Sequence, residues 1–380
     1  MPSLIIIKQM EYNIKYLQYP PTRDVVFVFG AGASHPDGVP LQRHILPMIL
    51  NDDEIAKSDI GKTVIQFIKE NFAYDSTTND YPALESLFLF LDHFIQQNDS
   101  LSKTYTNPAI HKIKEYLIKL IHFIVNKEAN TANNTYQKFW KTVERHNSNT
   151  SIITLNYDTL LEQAFEFMFE RVGYIDYSFH LMNYNKSEKL KYFNFWLDPR
   201  QPIRTQIDSN PVPFKIIKLH GSLNWKYCNC CNQTLLTPWD RDVDLNKGKL
   251  TWYSEKSKSS YEYVCPLDGT EFETLILTPS FAKNINRQVI TQLLGEAGRE
   301  IRAAKKIVFI GYSFSNADVH VRALFKKHLQ PETKVVVINP RISKPLELKY
   351  QSISSNVEFV TSSFEDFVEE EQLIKKIFDN

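Results

Sequence analysis

The sequence VVFVFGAGASHPDGVPLQR spans Val25–Arg43 and decides the fold class of the chain. Its first five residues are all apolar, as is typical of a strand buried on both faces of a parallel sheet. The strand ends in Gly30-Ala31-Gly32-Ala33-Ser34, where glycines allow close approach to a pyrophosphate and free amides act as donors. No third glycine follows near His35 and no P-loop lysine follows, which disfavours hydride transfer and a nucleotide P-loop. The motif predicts an unusual nucleotide site; the alternative is a tight turn without a ligand.

Four further apolar runs each end in a small or polar cluster: SIITLNYD from Ser151, KIIKLHGS from Lys215, KKIVFIGYS from Lys305 and KVVVINP from Lys334. In open α/β sheets, ligands bind at the carboxyl ends of the strands. Asn156 and Asp158 follow the second strand and His220 follows the third, so they are site candidates as a set. A histidine at this place can act as a base, although a core histidine satisfied by its neighbours is the alternative.

The rest of the chain divides by its hydrophobic pattern. Residues 54–147 carry apolar side chains at three- and four-residue spacing, which predicts an inserted helical subdomain. Residues 223–273 contain all four cysteines and form a second, small insertion that resembles a zinc ribbon. We therefore predict an α/β fold, a Rossmann-like doubly wound parallel sheet, built from residues 1–53, 148–222 and 274–380. The apolar stretch from Leu84 to Phe94 fits either a packed subdomain or an oligomer interface, and residues 174–213 show no clear period.

Composition excludes several classes of protein. Hydrophobic residues make up 43% of the 380 residues, which is ample for a core, and 44 basic residues balance 44 acidic ones. A neutral chain lacks the broad positive surface of a nucleic-acid-binding protein. No apolar run reaches the roughly eighteen residues that cross a bilayer, and the N-terminal run is too short for a signal peptide. We expect a cytoplasmic protein that binds neither membranes nor nucleic acid directly.

In chain order, the motifs resemble those of the sirtuin family. Gly38-Val39-Pro40-Leu41-Gln42-Arg43 stands where sirtuins have Gly-Ile-Pro-Asp-Phe-Arg, and Thr154-Leu155-Asn156-Tyr157-Asp158 stands in place of Thr-Gln-Asn-Ile-Asp. His220-Gly221 follows, and Gly311-Tyr312-Ser313 and Ile338-Asn339 match two later nucleotide-contacting segments of the family. The resemblance covers the Rossmann portions, about half of the chain, and neither insertion.

The resemblance implies that NAD is the substrate and is cleaved between nicotinamide and ribose. Asn156 and His220 would be catalytic, with His220 as general base and Asn156 holding the ribose hydroxyls or the attacking water. Arg43 would close the loop over the cofactor, Asp158 would receive the nicotinamide carboxamide, and Ser313 and Asn339 would bind the adenosine half. The full set implied for cofactor binding is Gly30, Ala31, Gly32, Ser34, Arg43, Asp158, Gly311, Ser313 and Asn339.

Departures from the family pattern favour water as the acceptor of the ADP-ribosyl group. Gln42 stands where the family has a phenylalanine that shields the reactive ribose, so we expect NAD hydrolysis to nicotinamide and ADP-ribose. This resembles the NAD-depleting sirtuin-like proteins of bacterial anti-phage systems, which implies a homo-oligomer and a HerA-type ATPase partner. The alternatives are an NAD-dependent protein deacylase and a non-catalytic module that senses NAD or ADP-ribose. Asp318 is either catalytic or a favourable charge at a helix N-terminus.

The cysteines point to a structural metal site. Cys228-x-x-Cys231 is followed by Cys265, and the fourth position of a zinc knuckle falls on Asp268. Cys230 is an alternative fourth ligand, although adjacent thiolates strain a tetrahedral site. Structural zinc prefers four Cys or His ligands. The sequence therefore leaves two interpretations open: a zinc site at Cys228, Cys231 and Cys265, or a ribbon that has lost its metal.

Overall fold

The computed structural model describes residues 14–15, 20–75, 80–147, 149–169, 173–179, 181, 203–204, 212–237, 242–252, 259–260, 265, 267–281, 283 and 285–378. Within these residues the strands are β1 (Ile14–Lys15), β2 (Arg23–Phe29), β3 (Thr150–Thr154), β4 (Gly173–Asp176), β5 (Ile203–Arg204), β6 (Val212–Lys218), β7 (Gly221–Tyr227), β8 (Thr234–Leu236), β9 (Asp242–Asp244), β10 (Lys249–Trp252), β11 (Ser259–Ser260), β12 (Glu273–Ile276), β13 (Ala304–Ile310), β14 (Lys334–Asn339) and β15 (Val357–Thr361). The α-helices are α1 (Ala31–Ser34), α2 (Gln42–Asn51), α3 (Asp53–Lys57), α4 (Asp59–Asn71), α5 (Leu84–Gln97), α6 (Asn107–Glu128), α7 (Thr135–His146), α8 (Leu160–Phe169), α9 (Gln288–Ala303), α10 (Val319–His328), α11 (Lys344–Gln351), α12 (Phe364–Phe367) and α13 (Glu371–Phe378). A 3-10 turn, Thr131–Asn133, precedes α7.

Seven strands form one sheet in the order β15-β14-β13-β2-β3-β6-β4, and every neighbouring pair is parallel. The five apolar runs of the sequence are β2, β3, β6, β13 and β14, so the predicted strands are confirmed. From the central β2, later strands extend to β4 on one side and to β15 on the other, which places a topological switch point between β2 and β13. The predicted α/β fold with a doubly wound parallel sheet is thereby confirmed.

Both faces of the sheet are covered by helices, as its continuous apolar strands require. On one face, the Phe139 ring of α7 lies 5.0 Å from Phe27 and 5.1 Å from Phe29. On the other face, the Phe309 ring of β13 lies 5.0 Å from Phe325 of α10 and 4.9 Å from Tyr350 of α11. Burial of these large rings from both sides holds the strand ends in place.

Two glycine turns interlock at the switch point, one after β2 and one after β13. The Gly32 amide donates to the Gly311 carbonyl (2.9 Å), and the Gly30 amide donates to the Ile310 carbonyl (3.0 Å). A Cβ on Gly32 would lie 2.8 Å from the Gly311 Cα, and one on Gly311 would lie 2.4 Å from Ala33 N. These positions require glycine because the two backbones touch. Two amides that the sequence assigned to a ligand therefore join the halves of the sheet.

The helical insertion is built around α6, which packs against α2, α4 and α5. In α5, Leu84, Leu87, Phe88 and Leu91 are buried, whereas Leu89 is 37% exposed. This favours the packed-subdomain interpretation of the Leu84–Phe94 stretch. Helix α7, which the sequence analysis placed in the insertion, instead packs on the sheet. The domain boundaries stay a prediction.

The cysteine-bearing insertion and the residues that flank it form two small antiparallel sheets, β12-β7-β8 and β11-β10-β9. It packs against the helical insertion, since α6 contacts both β9 and β12. The Ile60 amide donates to the Leu245 carbonyl (3.1 Å), and the Asp59 amide donates to Asn246 Oδ1 (3.3 Å). The two insertions are therefore joined to each other as well as to the sheet.

Two expectations fall wholly or largely outside the described residues: the short apolar run at the N-terminus and most of residues 174–213. Across the part of the chain that the structure describes, no helix combines the length and apolar character that a membrane span requires.

The interlocked turns predict a large difference between two glycine substitutions. In Gly311→Ala, the new Cβ meets backbone and the residue keeps a φ of +61°, so we expect the free energy of unfolding to fall by about 1–3 kcal/mol or more. Gly295→Ala lies on the exposed side of α9 with nothing within 4 Å of its Cβ, and should stabilise the chain by about 0.5–1 kcal/mol. Urea unfolding of both variants measures this, and equal effects would contradict the interlock.

Candidate active site

A cavity of about 1050 Å³ opens at the carboxyl ends of the parallel strands. Its lining includes ten of the residues that the sequence predicted for catalysis and cofactor binding: Gly30, Ala31, Gly32, Arg43, Asn156, Asp158, His220, Gly311, Ser313 and Asn339. Only one member of that set, Ser34, is absent from the lining residues and is fully buried. The topology thus gathers residues from five strand ends into one place, as expected for a doubly wound sheet.

Asn156 is held from behind by a buried hydrogen-bond network. Its Nδ2 donates to the Gly30 carbonyl (3.0 Å) and to Ser34 Oγ (2.9 Å). The Tyr136 hydroxyl lies 2.9 Å from the same Ser34 oxygen. Because these contacts use the NH₂ end of the amide, they fix which way the Asn156 side chain points. Ser34, expected to contact a diphosphate, instead lies behind the turn and orients a neighbour.

The same network reaches Asp158. Ser34 Oγ donates to Asp158 Oδ2 (2.8 Å), and the Leu160 amide donates to Asp158 Oδ1 (3.1 Å). Burial raises the pKa of this carboxyl, and the nearby Lys218 ammonium acts in the opposite direction. Lys218 also donates to the Asp158 carbonyl (2.5 Å) and pairs with buried Glu162 (2.8 Å). The loop after β3 is therefore anchored from beneath by a buried ion pair.

His220 lies at the turn that joins β6 to β7 and is almost fully buried. Its Nε2 is 3.2 Å from His320 Nε2 and 3.5 Å from Asp318 Oδ1. Burial, followed by the positive charge of Lys283, lowers the pKa of His220 to about 3, although Asp318 acts in the opposite direction. The imidazole is consequently neutral at pH 7, the state that a general base requires.

The contacts also assign the tautomer of His220. The imidazole hydrogen-bonds the Leu155 backbone, a contact that favours the protonated ring and is therefore made to the carbonyl. Since Nε2 faces His320, the nitrogen that donates to Leu155 is Nδ1. We assign Nε2 as the nitrogen with the lone pair, and His320 as the donor to it.

Asp318 contacts His220 and Lys283, and its side chain does not cap a helix. It occupies the N-cap position of α10, but its side chain makes no capping hydrogen bond. Instead Oδ1 accepts from Lys283 Nζ (2.5 Å) and Oδ2 accepts from the Tyr312 hydroxyl (3.0 Å). Although burial raises it, the neighbouring His220 and Lys283 hold the pKa of Asp318 below its ordinary value. Of the two interpretations of Asp318, the geometry favours a role beside His220.

Polar side chains from two helices contribute to the otherwise largely apolar wall of the cavity near the glycine turn. Gln42 begins α2, and its Nε2 donates to Glu85 Oε1 of α5 (2.6 Å). Both residues line the cavity, as does Arg43, whose exposed Nε donates to His44 Nε2 (3.0 Å). The helical insertion thus supplies a charged partner for the residue that stands in the place of the family's phenylalanine.

The cysteine cluster lies in the small insertion. The ligand atoms of Cys228, Cys231, Cys265 and Asp268 all lie within 4.8 Å of one another. The Cys231 and Cys265 sulfurs are 3.7 Å apart, close to the roughly 3.8 Å that tetrahedral geometry and a Zn–S bond of about 2.3 Å require. Cys230 is exposed and lies outside this set, and Asp268 is its fourth member. The cluster could hold zinc.

Comparison with known proteins places the chain in a family. A family model described as a SIR2-like domain matches residues 150–360, more than half of the 380 residues. The chain belongs to the SIR2-like family. This match begins at β3 and therefore includes Asn156, His220 and Asp318 but not the glycine turn after β2. No relative was found among curated proteins.

Several solved structures are similar to the SIR2-like chain at low sequence identity. A Sir2 homologue mutant in complex with 2'-O-acetyl ADP ribose is 15% identical, with a TM-score of 0.46, and the match covers 94% of this chain and 92% of that one. A Sir2 homologue–NAD complex is also 15% identical, with a TM-score of 0.46 and coverage of 94% and 90%. A third structure, described as the structural basis of sirtuin substrate affinity, is 14% identical, with a TM-score of 0.40. The match covers 93% of this chain and 94% of that one.

Four residues of the SIR2-like site were not found from the sequence. His320 follows Asp318 by two residues, and that spacing was the one available signal. Tyr136, Lys283 and Glu85 come from distant parts of the chain and reach the site only through the fold. A sequence pattern cannot reveal such partners, because no local spacing links them to the residues they contact.

The buried imidazole of His220 and the partly buried one of His320 predict how stability depends on pH. The pKa of His320 is lowered to about 4, chiefly by burial, and that of His220 to about 3, so both are neutral in the folded chain. Between pH 6.5 and about 4 the unfolded chain binds more protons, so stability is present above this range and is lost as pH falls, by about 1.4 kcal/mol per pH unit for each histidine. His320→Gln should flatten the slope of unfolding free energy against pH by that amount.

Urea titrations at pH 5, 6 and 7 measure this slope. The matched control is His111→Gln, at an exposed position of α6. If the two variants show the same slope, the prediction that His320 is held neutral in the folded chain is wrong.

Proposed function

We propose that the chain hydrolyses NAD at the bond between nicotinamide and ribose and releases nicotinamide and ADP-ribose. The observation that carries the proposal is the convergence of Asn156, Asp158 and His220 on one cavity beside the glycine turns of a SIR2-like fold. Among the similar solved structures, one contains NAD and another contains 2'-O-acetyl ADP ribose. The cavity is of a size and polarity suited to a dinucleotide.

The reaction depends more on the positions of the ribose and the attacking water than on strongly acidic or basic side chains. The C–N bond to nicotinamide breaks with its electron pair on the leaving group, and the ribose carbon becomes oxocarbenium-like. A water oxygen then bonds to that carbon, and its proton passes to neutral His220. Asn156 is held by Gly30 and Ser34, so it can orient the ribose or the water without reorganising.

The pair formed by Gln42 and Glu85 supports water over an acylated lysine as the acceptor of the ADP-ribosyl group. Gln42 and Glu85 face the cavity where a sirtuin has an apolar shield, and both can hydrogen-bond water. The amide of Gln42 and the carboxylate of Glu85 can hold a water molecule beside the reacting carbon, at a position where a phenylalanine would displace it.

We further propose that the enzyme is an NAD-depleting effector of bacterial anti-phage defence that acts in the cytoplasm. An enzyme that destroys NAD without control would damage its own cell. We therefore expect its activity to depend on assembly into a homo-oligomer or on a HerA-type ATPase partner, as the family resemblance implies.

Nicotinamide release from NAD tests the proposed function. Purified protein should release nicotinamide without any peptide, and His220→Ala and Asn156→Ala should each lower the rate by roughly 10²–10⁴-fold. His93→Ala, at an exposed position of α5, is the matched control. Chromatography of the nucleotides, with and without the candidate ATPase, gives the rates, and circular dichroism verifies the fold of each variant.

Two outcomes of this experiment would contradict the proposed hydrolase and support a different function. Turnover that occurs only with an acylated peptide would make the protein a deacylase. Tight nucleotide binding without turnover under any condition, including with the partner, would make it a sensing module.

We also propose that the cysteine cluster binds structural zinc through Cys228, Cys231, Cys265 and Asp268. Zinc measured by mass spectrometry should approach one ion per chain in the native protein. Asp268→Ala should lower zinc content or affinity, whereas Cys230→Ser should leave it unchanged because Cys230 is exposed and outside the donor set. Protein expressed with added zinc that contains none would show that the ribbon has lost its metal.

A further inference from the structure

One end of the cavity is positively charged without compensation. Arg341 and Lys349 line it beside the ends of β13 and β14, and Arg322 lies close enough to lower the pKa of Lys349 after the larger effect of burial. We call these three residues the basic end. None of them has an ion pair with a carboxylate among the described residues, and Arg322 Nε is buried without a hydrogen-bond partner there.

The acidic residues that line the cavity are already engaged. Glu85 accepts from Gln42, and Asp318 accepts from Lys283. Asp158 is bonded by Ser34. No acidic side chain of the described lining therefore balances the basic end. Arginine side chains that have no carboxylate partner can donate two hydrogen bonds to a phosphate, so the basic end is suited to a bound anion.

The basic end lies away from the reacting groups. Asn339 ends β14, which is three strand positions from β3 and four from β6, the strands that precede Asn156 and His220. At about 4.8 Å per position, these separations are roughly 14 and 19 Å. A dinucleotide with its nicotinamide ribose at His220 would cross the glycine turns and place its adenosine at the basic end.

Dinucleotide folds distinguish their substrates at this ribose. A carboxylate that accepts from the 2'-hydroxyl selects NAD, whereas a nearby arginine accommodates a 2'-phosphate. The strand end here carries an amide, Asn339, whose Oδ1 accepts from the Arg341 amide (3.2 Å) and so ties the start of the Arg341 loop to the strand.

We propose that the basic end binds a phosphate on the adenosine ribose, so that a 2'-phosphorylated dinucleotide such as NADP is the better substrate. This inference rests on the proposed function for the cleavage step, in which water adds to the nicotinamide ribose and 2'-phospho-ADP-ribose is released. The recognition itself does not depend on turnover.

Arg341 is the residue on which to test this proposal. Lys349 has a second task, because its Nζ donates to the Phe314 carbonyl (2.8 Å) and Phe314 has a left-handed φ of 52°. Removal of Lys349 would disturb that turn. The Arg341 side chain is exposed and makes no such contact within the described chain.

The first experiment compares kcat/KM for NADP and NAD. The ratio should exceed one in the native protein, and Arg341→Ala should lower kcat/KM for NADP by roughly ten- to a hundredfold while NAD changes little. Lys344→Ala is the matched control, since Lys344 pairs with Glu347 (2.9 Å) and does not line the cavity. An equal loss for both dinucleotides would overturn the proposal and assign Arg341 to the diphosphate.

The second experiment separates recognition from catalysis. Calorimetry should show that 2'-phospho-ADP-ribose binds the native protein more tightly than ADP-ribose and that Arg341→Ala removes the difference. This result without turnover of either dinucleotide would support the basic end and reject the proposed hydrolase. Equal binding of the two ligands would overturn the inference even if NAD is hydrolysed.

Discussion

The contact between the turns after β2 and β13 is the constraint on which the rest of the structure depends. A parallel sheet wound in two directions has its opening where the two halves meet, and here the backbones meet without any side chain between them. This contact fixes the floor of the cavity. Gly30 and Gly32 are needed here because their backbones touch the turn after β13.

Behind this floor the chain buries polar groups in pairs and networks. Ser34, Tyr136 and Asn156 satisfy one another, and Lys218 with Glu162 holds the backbone of the neighbouring loop. Buried polar groups are tolerable only when they are bonded, and a bonded network holds its members in one arrangement. The side chains that face the cavity are thus oriented by residues that do not reach it, which suits a reaction that depends on fixed geometry.

The sequence allowed much of the fold to be predicted because strand burial leaves a local pattern. β2, β3, β6, β13 and β14 are continuous apolar runs, and their polar ends were recognisable as a set. The place of Ser34 could not be predicted in the same way. Its hydroxyl lies in the protein interior, and only the position of α7 in the folded chain shows this. The partners of His220 were also hidden, since Lys283 comes from a loop and His320 from α10, both far from His220 in the sequence. The role of Asp318 was ambiguous in the sequence, because an acidic residue at the start of a helix can be explained by capping alone. In the structure its side chain makes no capping hydrogen bond.

The packing of the two insertions on each other connects parts of the molecule that are distant in the sequence. Helix α6 lies between the small sheet and the helices α2 and α5, which carry Gln42 and Glu85. The 22-residue α6 is therefore the element through which the cysteine-bearing insertion and the helices beside the cavity are in contact. A substitution on the buried face of α6 would change the packing of both regions at once, although neither is close to the other in the sequence.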